Sequence, residues 1–142
     1  TKNANGGAGF TEYNDGTIQF ETTQWSQGYY DNGKIWQTFT LPEGKYEMRI
    51  EVKNAANIGS GSTNIHFAVA QGESLPDNEE LEKSDIILSY LKFESEHTNK
   101  TSALPIFELT EEKTITVGWV VSFSDICRNI EFKSVRLWSV AE

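Results

Sequence analysis

The stretch "KYEMRIEVK", Lys45 to Lys53, decides the fold class. Tyr46, Met48, Ile50 and Val52 alternate with Lys45, Glu47, Arg49, Glu51 and Lys53, so one face is apolar and the other is charged at every position. A period of two marks a strand, and burial on one side only belongs to an antiparallel sheet with a wet face. The alternating charges also blunt the strand against wrong pairing.

Neighbouring runs repeat the pattern. "TIQFET" turns Ile18 and Phe20 to one side, "NIHFAVA" turns Ile65, Phe67 and Val69 to one side, and "TITVGWVVSF" turns Ile115, Val117, Trp119, Val121 and Phe123 inward. "DIILSYLKF" is apolar on both faces, as a strand covered on both sides would be. In "NIEFKSVRLW" the phase slips between the pair Ile130 and Phe132 and the pair Val135 and Leu137, and a bulge near Lys133–Ser134 repairs it. Turns separate the runs: "LPEGK" at Leu41 to Lys45, "NDG" at Asn14 to Gly16 and "TEEK" at Thr110 to Lys113. One short helix is expected around "PDNEELEK", capped by Asp77 or Asn78. About eight strands at this spacing predict an all-β antiparallel sandwich with jelly-roll connections. Residues 1–142 read as one domain, with 1–9 as a flexible linker.

Composition narrows the function. The formal net charge is −9, which repels nucleic acid and anionic lipid, and no basic run offsets it. Cys127 is the only cysteine, so an internal disulfide is impossible. His66 and His97 lack metal-ligand spacing, and His66 reads as a solvent-face strand residue. No phosphate-cradling loop, dinucleotide fingerprint or Ser-His-Asp pattern occurs, and the 21 acidic residues fall mainly on solvent positions. An enzyme is not expected.

The aromatic content is high, with four Trp, five Tyr and eight Phe. Trp119 lies in phase with core residues, Trp36 reads as core or rim, and Trp138 as structural. The loop "TQWSQGYYDNGKIWQ" is different, because Trp25, Tyr29 and Tyr30 stand among turn formers without periodic apolar partners. Those rings either cap the core or stack on a ligand. Sugars suit the second role, because they have apolar C–H faces and a hydroxyl rim that Asp, Asn and Arg side chains can bond. If strands alternate direction, loops 23–34, 54–63, 94–103 and 124–129 share one end, and the 71–85 connection shares the other. The expected ligand-binding residues are therefore Trp25, Tyr29, Tyr30, Asp31, Asn32, Asp125 and Arg128. The alternative is a structural or protein-interaction sandwich whose aromatics meet a neighbouring domain.

Three segments, "GKIWQTFTLPEGKYEMRIEV", "IHFAVAQGESLPD" and "IEFKSVRLW", resemble galactose-binding-like jelly-roll modules. They are most similar to an uncharacterised family found in surface lipoproteins of Bacteroidetes-type glycan-utilisation systems. The resemblance implies an exported, cell-surface, non-catalytic module that binds carbohydrate alongside neighbouring domains or surface proteins of the same system. Leu41, Pro42, Gly44 and Tyr46 carry its structural signature. The wider fold often holds a structural calcium, but "YDNG" and "NDG" are first of all turns and no acidic cluster matches, so no cofactor is expected.

Overall fold

The computed structural model describes residues 3–5, 11–12, 18–21, 31–55, 58, 63–125 and 128–140. The hairpin at Asn14–Gly16, the loop residues Trp25, Tyr29 and Tyr30, and Cys127 lie outside them. The described strands are β1 (Asn3–Asn5), β2 (Thr11–Glu12), β3 (Ile18–Glu21), β4 (Gly33–Leu41), β5 (Gly44–Asn54), β6 (Thr63–Gln71), β7 (Ile87–Lys92), β8 (Lys100–Ala103), β9 (Phe107–Leu109), β10 (Lys113–Phe123) and β11 (Asn129–Ser139). A four-residue helix, α1 (Asn78–Leu81), precedes β7.

Two antiparallel sheets face each other. One has the order β1-β4-β10-β6-β7, and the other has β2-β3-β11-β5-β8 with β9 paired to β5. This is the jelly-roll sandwich that the alternating strands predict. Asn3–Asn5, within the stretch read as a linker, pairs with β4. The β5 pattern holds residue by residue: Tyr46, Met48, Ile50 and Val52 are buried. The Tyr46 hydroxyl donates to the Pro42 carbonyl at 2.8 Å and ties the preceding turn to the strand.

The core between the sheets centres on Trp119, whose ring lies 5.2 Å from Phe67, 4.8 Å from Phe93 and 4.6 Å from Phe132. Phe132 comes from the opposite sheet, so this stack joins the two layers. Gly118 faces the other way, against β4. A Cβ there would collide with the Ile35 carbonyl and stand 2.8 Å from the Trp36 Cα, so no side chain fits between the paired strands.

A second apolar cluster sits on the outer face of the five-stranded sheet. Leu75 and Leu81 cover Ala68, Ala70 and Val120, with Trp36, Ile86, Ile87 and Tyr90 at the margin. This layer explains why β7 reads as apolar on both sides: Leu88 and Leu91 pack on the inter-sheet core, while Ile87 and Tyr90 join the outer cluster. The helix starts as expected at Asp77, but that carboxylate makes no cap and instead accepts from Lys34 Nζ at 2.7 Å.

The 71–86 connection departs from its expected place at the second end. It leaves that end where Gly72 N–H donates to the Thr114 carbonyl, runs along the sheet, and brings Asn78 to Asn64 and Ser122 at the opposite end. The apolar residues Leu75 and Leu81 drive this course, because without them Ala68, Ala70 and Val120 on the outer face of β6 and β10 would meet water.

Candidate functional site

Asp31, Asn32, Asp125 and Arg128 do share one end of the sandwich: Gly33 pairs with Val121, and the chain crosses from β10 to β11 just beyond. Asn32 takes a left-handed backbone conformation, φ 56°, which asparagine tolerates better than most residues. Its N–H donates to Ser122 Oγ at 3.0 Å, its Oδ1 accepts from the Asn78 N–H at 2.6 Å, and its Nδ2 donates to Glu79 Oε2 at 3.1 Å. Asn32 is thus a hub that ties β4 to β10 and α1, with its hydrogen-bonding capacity spent inside the protein. Arg128 Nη2 donates to Asp125 Oδ2 at 3.0 Å and braces the β10–β11 loop. Asp31 is exposed.

His66 corrects the expectation of a solvent-face residue, because it is fully buried. It does point away from the inter-sheet core, but the 71–86 connection lies over that face. Its Nδ1 donates to Asn78 Oδ1 at 2.8 Å, and its Nε2 lies 3.3 Å from Glu82 Oε2. Asn78 Nδ2 donates in turn to the Asn64 carbonyl and to Ser122 Oγ, both at 2.8 Å. The chain of contacts ends at the surface, where the Tyr90 hydroxyl donates to Glu82 Oε1 at 3.1 Å. That bond, with help from His66, holds the Glu82 carboxyl below its usual 4.5. A depressed carboxylate contributes stability above its ordinary pKa and loses it as pH falls through the folded value. Tyr90→Phe should therefore be less stable than the parent near neutrality, with the gap closing below about pH 4. Urea midpoints across pH check this, and a gap that stays constant into acid would refute it.

The outer face of the six-stranded sheet is built differently, since no described element covers it. The register shifts around Phe132 on β11 mark the bulge inferred from the sequence. Beyond it Val135 and Leu137 pack inward, which leaves Ser134, Arg136 and Trp138 facing out. Across the pairing, Ser134 stands opposite Glu51, Arg136 opposite Arg49, and Trp138 opposite Glu47, while Thr101 of β8 stands opposite Glu51. Together Arg49, Glu51, Thr101, Ser134, Arg136 and Trp138 line a depression of about 160 Å³. Trp138, expected to be structural, is 47% exposed on this outer face. The Arg49 guanidinium sits 5.7 Å from its ring centroid, and Arg49 Nε donates to Glu47 Oε1 at 2.6 Å.

Sequence reasoning missed this face although the signal was present. Once the bulge is placed at Lys133–Ser134, Trp138 falls in phase with Ser134 and Arg136 rather than with Val135 and Leu137. The arrangement offers a ring face, guanidinium donors, a carboxylate and hydroxyls on rigid strands, which is a surface for binding polar, ring-shaped ligands. Among the described residues, no group of three His, Cys, Asp or Glu is placed to hold a metal ion.

The chain belongs to the family described as "Domain of unknown function (DUF5013)", which residues 1–118 match. No curated protein matches it. Among solved structures it is similar to TmCBM61, solved in complex with β-1,4-galactotriose, with a TM-score of 0.53, 12% identity and coverage of 98% of this chain and 88% of that one. It is also similar to the xylan-binding module CBM15, with a TM-score of 0.56, 13% identity and coverage of 99% and 90%. The carbohydrate recognition domain of Emp47p gives a TM-score of 0.57 at 11% identity, with coverage of 98% and 89%. At these identities the likeness is one of fold.

Proposed function

We propose that this domain is a non-catalytic carbohydrate-binding module, and that the outer face of the six-stranded sheet is its platform. The observation that carries the reading is Trp138, a large ring about half exposed on a strand, ringed by polar side chains and stacked by Arg49. The exposed part of the ring can stack on the C–H face of a sugar, whose hydroxyls then reach Glu51, Thr101 and Ser134. Sandwiches of this fold include modules solved with galactotriose or named for xylan binding, which supports the reading without carrying it. The expected loop residues Trp25, Tyr29, Tyr30, Asp31, Asn32, Asp125 and Arg128 remain a second candidate site, of which Asp31, Asn32, Asp125 and Arg128 lie at one end of the sandwich. In the parent protein the module sits outside the cell or at its surface, as part of a lipoprotein of a glycan-utilisation system. A lipid-attachment signal at the start of the full-length protein tests that placement.

Trp138→Ala separates platform from scaffold. Its melting temperature should stay near the parent value, because little apolar area leaves the core. Its affinity for a bound glycan should fall by about 1–3 kcal/mol, by analogy with nucleic-acid bases stacked on aromatic side chains. Affinity electrophoresis against a panel of plant and host polysaccharides gives the readout. Absence of binding across the panel at millimolar sensitivity would remove the proposal, and unchanged binding by Trp138→Ala would move the site to the loop end.

A further inference from the structure

Arg136 and Arg49 stand directly opposite each other on β11 and β5. Like charges in that position destabilise a sheet, yet this chain places two of its 12 basic residues there while its net charge is −9. Arg49 is engaged with Glu47 and with the Trp138 ring. Arg136 has no ion pair or hydrogen bond among the described residues, although Glu47 and Glu51 occupy its diagonal positions across the pairing. A free guanidinium fork beside an exposed indole is a receptor for a planar, bidentate anion presented by a ring.

We infer that the depression recognises a saccharide carrying a carboxylate, that is, a uronic acid residue within a polysaccharide. This inference rests on the carbohydrate-binding reading above and names the class of sugar. The sugar face lies on the exposed part of Trp138. Its carboxylate is received by Arg136 and by the Nη groups of Arg49, and its hydroxyls face Glu51, Thr101 and Ser134. The two flanking glutamates set the charge of the ligand. They tolerate one carboxylate per binding position and disfavour the higher charge of a phosphate or of a densely sulfated chain.

The test uses matched pairs: polygalacturonate, glucuronoxylan and alginate, each beside its own carboxyl-reduced form, together with a neutral polysaccharide panel. The parent protein should bind at least one acidic polymer about tenfold more tightly than its reduced form, the discrimination expected of a charge-assisted bidentate contact. The preference should shrink as salt rises. Arg136→Gln should keep its melting temperature and bring its affinities for the acidic and the reduced form of each polymer together, so that the preference is lost. Equal binding of acidic and reduced forms in all three pairs, or a preference that survives Arg136→Gln, overturns the inference and leaves carbohydrate binding standing. Failure to bind any polymer, neutral or acidic, overturns both.

Discussion

Trp119→Ala should lower folding stability by about 3–5 kcal/mol, the range for truncating a large buried aromatic. The ring is 1% exposed and touches aromatic residues from both sheets, so its loss removes contacts within the five-stranded sheet and a ring contact across the sandwich to Phe132. The ring also borders an open apolar cleft of about 120 Å³ lined by Ile18, Ile35, Trp36, Val117 and Val135, which truncation would widen. Trp119→Phe should be far milder, for a reason beyond its size. The indole Nε1 is buried without a hydrogen-bond partner among the described residues, and an orphaned donor of this kind costs about 1–3 kcal/mol. Phenylalanine removes that donor while keeping most of the ring. Urea unfolding with an unchanged slope gives both numbers. Equal losses for the Ala and Phe variants would show that the N–H is satisfied after all.

The same tryptophan shows why much of the fold could be read from the sequence. Burial on one face imposes a period of two, and β5, β6 and β10 obey it because each turns one side to the inter-sheet core. Even the bulge in β11 was visible, since an inserted residue shifts the phase of everything after it. The legible features are those in which local pattern and burial agree.

The misread features have a common cause, which is an outer layer that period-two reasoning cannot see. His66 alternates with core residues and so looks solvated, but whether the outer face of a strand meets water depends on a segment elsewhere in the chain. Here that segment is the 71–86 connection. Nothing local to "NIHFAVA" announces it, although Ala68 and Ala70, in phase with His66 on the same face, are a weak sign, since small apolar residues suit a covered face better than a wet one. Trp138 reads only as structural from its place near the end of the last strand, and its outward direction emerges once its phase is counted from the bulge. Of the loop site, the backbone placement of Asp31, Asn32, Asp125 and Arg128 at one end followed from strand alternation alone. The internal commitments of Asn32 did not, because they depend on α1 reaching that end.

Asn78→Ala is expected to be the most damaging polar substitution, at about 3–4 kcal/mol. The side chain is buried and makes three hydrogen bonds, donating to the Asn64 carbonyl and Ser122 Oγ and accepting from His66 Nδ1. Alanine removes all three and leaves partners that water cannot easily reach, each costing about 1–3 kcal/mol if unmet. His66 suffers most, since it is fully buried and its ring would keep only Glu82 as a polar partner. A second substitution tests that account: in a His66→Leu background, Asn78→Ala should cost clearly less, because one orphan no longer exists. A coupling energy near zero in this double-mutant cycle would mean that the two residues act independently. The same variant also distinguishes the two candidate glycan sites. Asn78 lies on the outer face of the five-stranded sheet, across the sandwich from Trp138, and its main-chain N–H helps hold Asn32 at the loop end. If glycan binds at the Trp138 platform, folded Asn78→Ala protein in low urea should bind with parental affinity. A variant that stays folded but binds several-fold more weakly would place the site at the loop end instead.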